Sequence, residues 1–216
     1  MRITVFDVET TGLNPKTDRM VEIGIVHFDD FKERGSYGRI IRPYRNSCYV
    51  PYEAYVVHKI SEEMIRRDGV LWTSIAEKVR EELASADYWC AFNAEFDVGF
   101  IGEAMAGVGI ELDPKPIIDP LKIAQRFIPY SVMRKKRLVD ICDKFGILLD
   151  EAHRAVQDSR ATGHALFALL DELELLNKID ELTKHHPLCW GKFQFEEQQH
   201  VDPFLALYNG LPRKSY

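Results

Sequence analysis

Phe6-Asp7-Val8-Glu9-Thr10-Thr11-Gly12-Leu13, FDVETTGL in residues 6–13, is the stretch on which the reading of this sequence turns. The residues leading into it, Ile3-Thr4-Val5-Phe6, put apolar groups on both sides of a period-2 pattern, as a strand covered on both faces requires. Asp7 and Glu9 stand two apart, so both carboxylates leave the same face of the sheet. Like charges held that close beside a buried strand repel and lose hydration; either one takes a proton or a cation sits between them. A hard divalent ion such as Mg²⁺ prefers carboxylate oxygen. Thr10-Thr11-Gly12 then turns the chain, and Gly12 lets backbone approach a ligand closely. The plain alternative is an acidic strand end running into a turn.

Further strands are expected over 20–28 (MVEIGIVHF) and 36–42, the latter ended by Pro43. Short links containing Asn14-Pro15 and Asp29-Asp30 suit antiparallel neighbours. Ser61 reads as the cap of a helix opening at Glu62-Glu63-Met64. Ile75, Val79 and Leu83, spaced four apart, predict a helix over 72–85. Tyr88 to Phe92 reads as a short strand, with Asn93 as N-cap of a helix over 94–106. Residues 116–118 make a fifth strand. Asp119-Pro120 opens the next helix, with Asp as cap and Pro at the first helical position. Helices near 137–145 and 155–176 complete the pattern. Hairpin-linked strands followed by alternating helices and strands predict an α/β layer fold with a mixed sheet. Composition shifts after 177, where His185-His186-Pro187 and an aromatic-rich tail begin. The expected organisation is one domain over 1–176 and an extension of unknown role over 177–216.

A chain of 216 residues with a net charge of −6 is long enough for one sizeable core and too acidic for broad, sequence-blind binding to a polyanion. A local site in which metal cations reverse the field stays open. No apolar run approaches the roughly 20 residues that span a bilayer, and Arg2-Ile3-Thr4-Val5 has no signal-peptide layout, so a cytoplasmic protein without membrane attachment is expected. Cys48, Cys90, Cys142 and Cys189 lie far apart with no CxxC spacing and read as reduced thiols.

Two later segments carry polar residues of interest. Asp97, in NAEFDVGF (93–100), falls about one turn into its helix. It either complements the helix N-terminus or stands over the C-terminal end of a strand, where ligands gather in α/β folds. Phe96 beside it is suited to stack on a base or ribose, or else is a core aromatic. In HRAVQDS (153–159), His153 and Asp158 would point about 140° apart if both lay on one helix. If His153 precedes a helix that starts near Arg154–Ala155, both reach one site. The alternative is a surface His and a solvated acid.

The ordered set D-x-E, then N-x-x-F-D, then H-x₄-D resembles the DEDDh (DnaQ-like) 3′–5′ exonuclease superfamily across residues 2–170. VHKISEEMI (57–65) and RLVDICDKFGI (137–147) are similar to the segments that lie between those motifs in that family. The resemblance implies a ribonuclease H-like fold, a five-stranded mixed sheet flanked by helices. It implies two Mg²⁺ ions, with Mn²⁺ as substitute, at Asp7, Glu9, Asp97 and Asp158, and His153 as general base. Two such cations about 3.5–4 Å apart serve the attacking and leaving oxygens of an in-line displacement, and an unperturbed imidazole near pKa 6.5 suits the base. By matching position, Thr10, Thr11, Leu13, His58 and Phe96 bind the 3′-terminal nucleotide; for Leu13 and His58 the alternative is a place in the core. Asp119-Pro120 departs from the family's frequent Asp-Thr, and Asp119 is read as a helix cap. Arg134-Lys135-Lys136-Arg137 is the dense cationic run, a solvated helix start or a nucleic-acid contact. WGKFQF (190–195) resembles a C-terminal segment of exonuclease X-like members.

The implied activity releases nucleoside 5′-monophosphates from the 3′ ends of single-stranded DNA, with a DNA polymerase or repair protein as candidate partner. The alternatives are an RNA-trimming exoribonuclease of the same mechanism and a non-catalytic nucleic-acid-binding protein on the same fold.

Overall fold

The fold is described from a computed structural model, which covers residues 1–44, 47–149 and 153–184. Three strands open the chain: β1 (Arg2–Thr10), β2 (Met20–Asp29) and β3 (Lys32–Arg42). They are followed by α1 (Tyr52–His58), α2 (Glu62–Asp68), β4 (Val70–Leu71) and α3 (Trp72–Ala84). Then come β5 (Tyr88–Cys90), α4 (Ala94–Ala106), β6 (Ile117–Ile118), α5 (Pro120–Phe127), α6 (Leu138–Phe145), α7 (Ala155–Glu172) and α8 (Ile179–Lys184).

The sheet has six strands in the order β4-β3-β2-β1-β5-β6. The first three form an antiparallel meander, while β5 runs parallel to β1, β6 to β5 and β4 to β3. This is the expected mixed α/β sheet with one strand more than the five anticipated. The additional β4 is two residues long, too short to show a periodicity of its own.

Alternation along β1 builds two cores. Phe6 and Val8 join Ile23 and Ile25 of β2 under α3 and α4. Ile3 and Val5 join Val26 and Phe28 under α5, α6 and α7, against Ala165, Leu166, Leu169 and Leu170. Asp7 and Glu9 continue the second series, so they lie on the face that α7 covers.

Several local expectations meet the structure differently. Asn93 occupies the N-cap position of α4 in a left-handed conformation (φ 66°) and makes no side-chain cap. The Asp119 carboxylate caps instead, accepting from the N–H groups of Asn93 and Ala94 (both 3.1 Å) and from Leu121 N–H of its own helix (2.9 Å). Ser61 caps α2 as read, accepting from Met64 N–H at 3.1 Å. The last long helix stops at Glu172. The chain then turns, and α8 packs back: Ile179 is buried, and the Tyr88 hydroxyl donates to Asp180. Packed structure thus runs beyond residue 176. Cys48, Cys90 and Cys142 are free thiols. His185, His186, Cys189 and residues 190–195 lie outside the described residues.

Candidate active site and metal centre

β1 places the first two acids. Asp7 sits opposite Gly24 and Glu9 opposite Glu22 across the β1–β2 ladder, and the register slips just after Glu9. A bulge there re-aims the chain into the Thr-Thr-Gly turn. On its other edge β1 outruns β5, whose last pairing is Cys90 with Val5. The N–H of Val8 therefore has no strand to donate to, and Asp97 Oδ1 from α4 accepts it at 2.9 Å. That bond carries Asp97, 2% exposed, to the end of β1.

The third segment divides at the helix start. His153 precedes α7 at φ 72°, and Asp158 lies in the first turns. The His153 N–H donates to Asp158 Oδ2 at 3.2 Å. Glu9, His153 and Asp158 each offer an atom within 4.8 Å of the others'. His153 thus stands within ligand reach of the acids as well as beside them.

Electrostatics ties the remaining acids to this cluster. Burial pushes the Asp7 carboxyl well above the usual carboxylate range, and the charges of Asp97, Glu9, Asp158 and Glu22 push it further. Burial likewise raises Asp97, opposed by its backbone hydrogen bonds and assisted by Asp119 and Asp158. Carboxylate oxygens with one imidazole, crowded enough to repel, form a donor set that fits a hard divalent cation.

The expected nucleotide-binding residues divide. Thr10 donates its hydroxyl to Gly12 O (2.5 Å), and Thr11 Oγ1 accepts from Arg19 N–H (2.9 Å). Both are buried and build the turn. Gly12 has an internal reason as well: a Cβ there would meet the Asp18 carboxylate at 2.5 Å, which itself accepts from Asn14 N–H. Leu13 is exposed at 37%, outside the core. Phe96 is partly buried, 4.9 Å from the Phe100 ring. His58 is buried, and its Nδ1 accepts from Ile60 N–H (3.0 Å). Burial lowers its pKa to about 4 against the pull of the Thr10 backbone, and His153 adds to the lowering. In the cationic run, Arg137 is paired with Asp140 and Lys136 donates to Met133 O, while Arg134 and Lys135 are exposed.

Residues 4–166 match the exonuclease family RNase_T. This chain belongs to that family. The exonuclease domain is of the DnaQ-like 3′–5′ kind that its motifs resemble. It is 30% identical over 178 residues, 82% of this chain, to the PolC-type DNA polymerase III of Listeria monocytogenes. It spans only 12% of that relative's length. Among solved structures, exonuclease X in complex with 5′ overhanging duplex DNA superposes with a TM-score of 0.64 at 21% identity, covering 84% of this chain and 99% of that one. The zinc-bound E. coli exonuclease I–ssDNA complex gives 0.67 at 18%, covering 83% and 42%. At those identities the likeness is one of fold, the ribonuclease H-like sheet flanked by helices. Among the described residues of the exonuclease domain, no helix is long and apolar enough to cross a membrane.

Sequence reading of the domain passed over one residue at the site. Glu22, 4% exposed on β2, takes the Arg154 guanidinium through Nε (3.1 Å) and Nη2 (2.7 Å) and the Ala155 N–H (2.9 Å). An acid among apolar neighbours in a strand buried on both faces was the available signal.

Proposed function

We propose that this exonuclease domain removes nucleotides from the 3′ ends of single-stranded DNA, releasing nucleoside 5′-monophosphates. One observation carries the reading: Glu9 on β1 and His153 and Asp158 at the start of α7 close to within 4.8 Å of one another, with Asp7 and the buried Asp97 beside them. Asp7, Glu9, Asp97 and Asp158 are the residues that would hold a pair of Mg²⁺ or Mn²⁺ ions. Such ions supply an acidified water and charge stabilisation at a scissile phosphate. His153 takes the proton of the attacking water at a ring nitrogen. Its loop position ahead of α7 leaves the imidazole near the acids without committing it to the helix face.

Outside this centre, Leu13 presents an apolar side chain against the terminal base and Phe96 a ring edge. Arg134 and Lys135 offer cations to the trailing phosphates. The DNA preference is supported by the DNA-bound solved structures of the same fold and by the polymerase relative. A DNA polymerase or repair protein is the corresponding partner.

The test is a product assay on 5′-labelled DNA and RNA of one sequence, with Mg²⁺, with Mn²⁺ and with chelator. The reading predicts a ladder of products shortened from the 3′ end, faster on DNA and absent with chelator. Faster trimming of RNA would reassign the substrate. Internal cuts, or oligonucleotide binding without shortening under either metal, would overturn the reading.

A further inference from the structure

The start of α7 is held by a residue from another strand. The first N–H groups of a helix need acceptors, and Arg154 at the N-cap supplies none from its side chain. Glu22 Oε2, from β2, accepts from Ala155 N–H at 2.9 Å, while both carboxylate oxygens engage the Arg154 guanidinium. Charge-assisted, forked pairing of this kind is directional as well as strong.

Two residues along the same face of β2, a Cβ on Gly24 would come within 2.1 Å of the Ala155 backbone, so the helix backbone rests directly on the strand. Ser159 Oγ donates to Gly24 O at 3.1 Å and fixes the next turn. His153 is one residue upstream of this anchorage, at a positive φ that non-glycine residues seldom adopt. Such a conformation persists where the surroundings over-determine it. Glu22 also sits directly across the ladder from Glu9.

We propose that Glu22 is the positioning residue of the site: its carboxylate, locked to Arg154 and to the first N–H of α7, fixes where His153 stands relative to Glu9. The proposal rests on the functional reading above. Both Glu22 oxygens are engaged by Arg154 and Ala155, which sets this acid in the clamp.

The experiment is a double-mutant cycle on the full chain. Glu22→Gln keeps the side-chain length but turns an amide donor toward donors. Turnover of a single-stranded DNA oligonucleotide is expected to fall about tenfold or more, as misplacement of a reacting group does, with KM changed less than about twofold. In a His153→Ala background the same substitution is expected to cost nothing further. Equal losses in both backgrounds, or unchanged turnover in the wild-type background, would overturn the proposal.

A second readout is independent of activity. The imidazole Hε1 NMR signal of His153, identified by its loss in His153→Ala, is expected to move or broaden in Glu22→Gln; an unmoved signal overturns the clamp. Should Glu22→Gln fail to fold, Arg154→Gln breaks the same contact from its solvent side, at a guanidinium side chain 35% exposed. If His153→Ala itself leaves turnover intact, the functional reading fails, and the NMR signal still decides the clamp.

Discussion

On the face of the sheet that α7 covers, the strand pair β1–β2 has two halves. In one, Ile3, Val5, Val26 and Phe28 meet Ala165, Leu166, Leu169 and Leu170. In the other, Asp7, Glu9, Glu22 and Gly24 meet the first turn of the same helix. Strands, register and helix are shared; what each half must satisfy is not. Apolar burial is non-directional and stabilises by about 25 cal/mol per Å², so many side chains serve there. Each carboxylate in the other half needs a donor or a cation at a set place. Glu22 and Asp97 have donors, in Arg154 with Ala155 and in Val8. Asp7 is left among like charges. Such an acid works against the stability of the fold, and under the proposed reading a bound cation explains its place.

The widest separation between the halves is expected from Asp7→Asn. Turnover should drop about 10³-fold or more, roughly 4 kcal/mol in the barrier, while the metal-free protein melts no lower than wild type because a repelled, desolvated charge has gone. Lower metal-free stability would mean that Asp7 supports the fold. In the apolar half, Leu166→Ala should do the reverse, costing about 2–5 kcal/mol in denaturant unfolding and leaving turnover unchanged well below the melting point. A loss of turnover there would erase the division.

His58 sharpens the contrast, being polar, buried and neutral. Its folded pKa of about 4 lies below the unfolded value. Stability from this group is therefore complete above about pH 6.5 and is lost as the pH falls toward 4, by roughly 3 kcal/mol. In His58→Asn the amide oxygen can still accept from Ile60 N–H, and the slope of stability against pH across that window should flatten. An unchanged slope would show that His58 titrates freely. The smallest effect expected is a gain of about 1.4 kcal/mol in wild-type stability at Mn²⁺ ten times above its Kd. The gain should shrink in Asp7→Asn at the same concentration, as melting curves would read.

The halves also differ in how much of them the sequence discloses. Strands β1 and β2 and helices α3, α6 and α7 are legible because burial writes its pattern into the chain, whereas β3, largely exposed, begins at Lys32, ahead of the expected 36–42. The spacing of Asp7 and Glu9, and the break between His153 and Asp158 at a helix start, follow from the same geometry. The partners are hidden. Asp119 caps α4 from 26 residues beyond Asn93, and Glu22 holds a helix 133 residues away. A carboxylate's partner is a fact of the fold, absent from its neighbourhood in sequence. Gly12 likewise clears room for Asp18, a second reason that its neighbours in sequence do not show. The strand β4, with two residues, is below the length at which alternation registers.

The central claim, that β1, α4 and α7 bring their acids together around divalent cations, is tested most directly by anomalous diffraction from crystals soaked in Mn²⁺ with a nucleoside 5′-monophosphate. The account predicts manganese peaks coordinated by Asp7, Glu9, Asp97 and Asp158, with the nucleotide phosphate joining them. Manganese bound elsewhere on the chain, with those carboxylates uncoordinated, would contradict it.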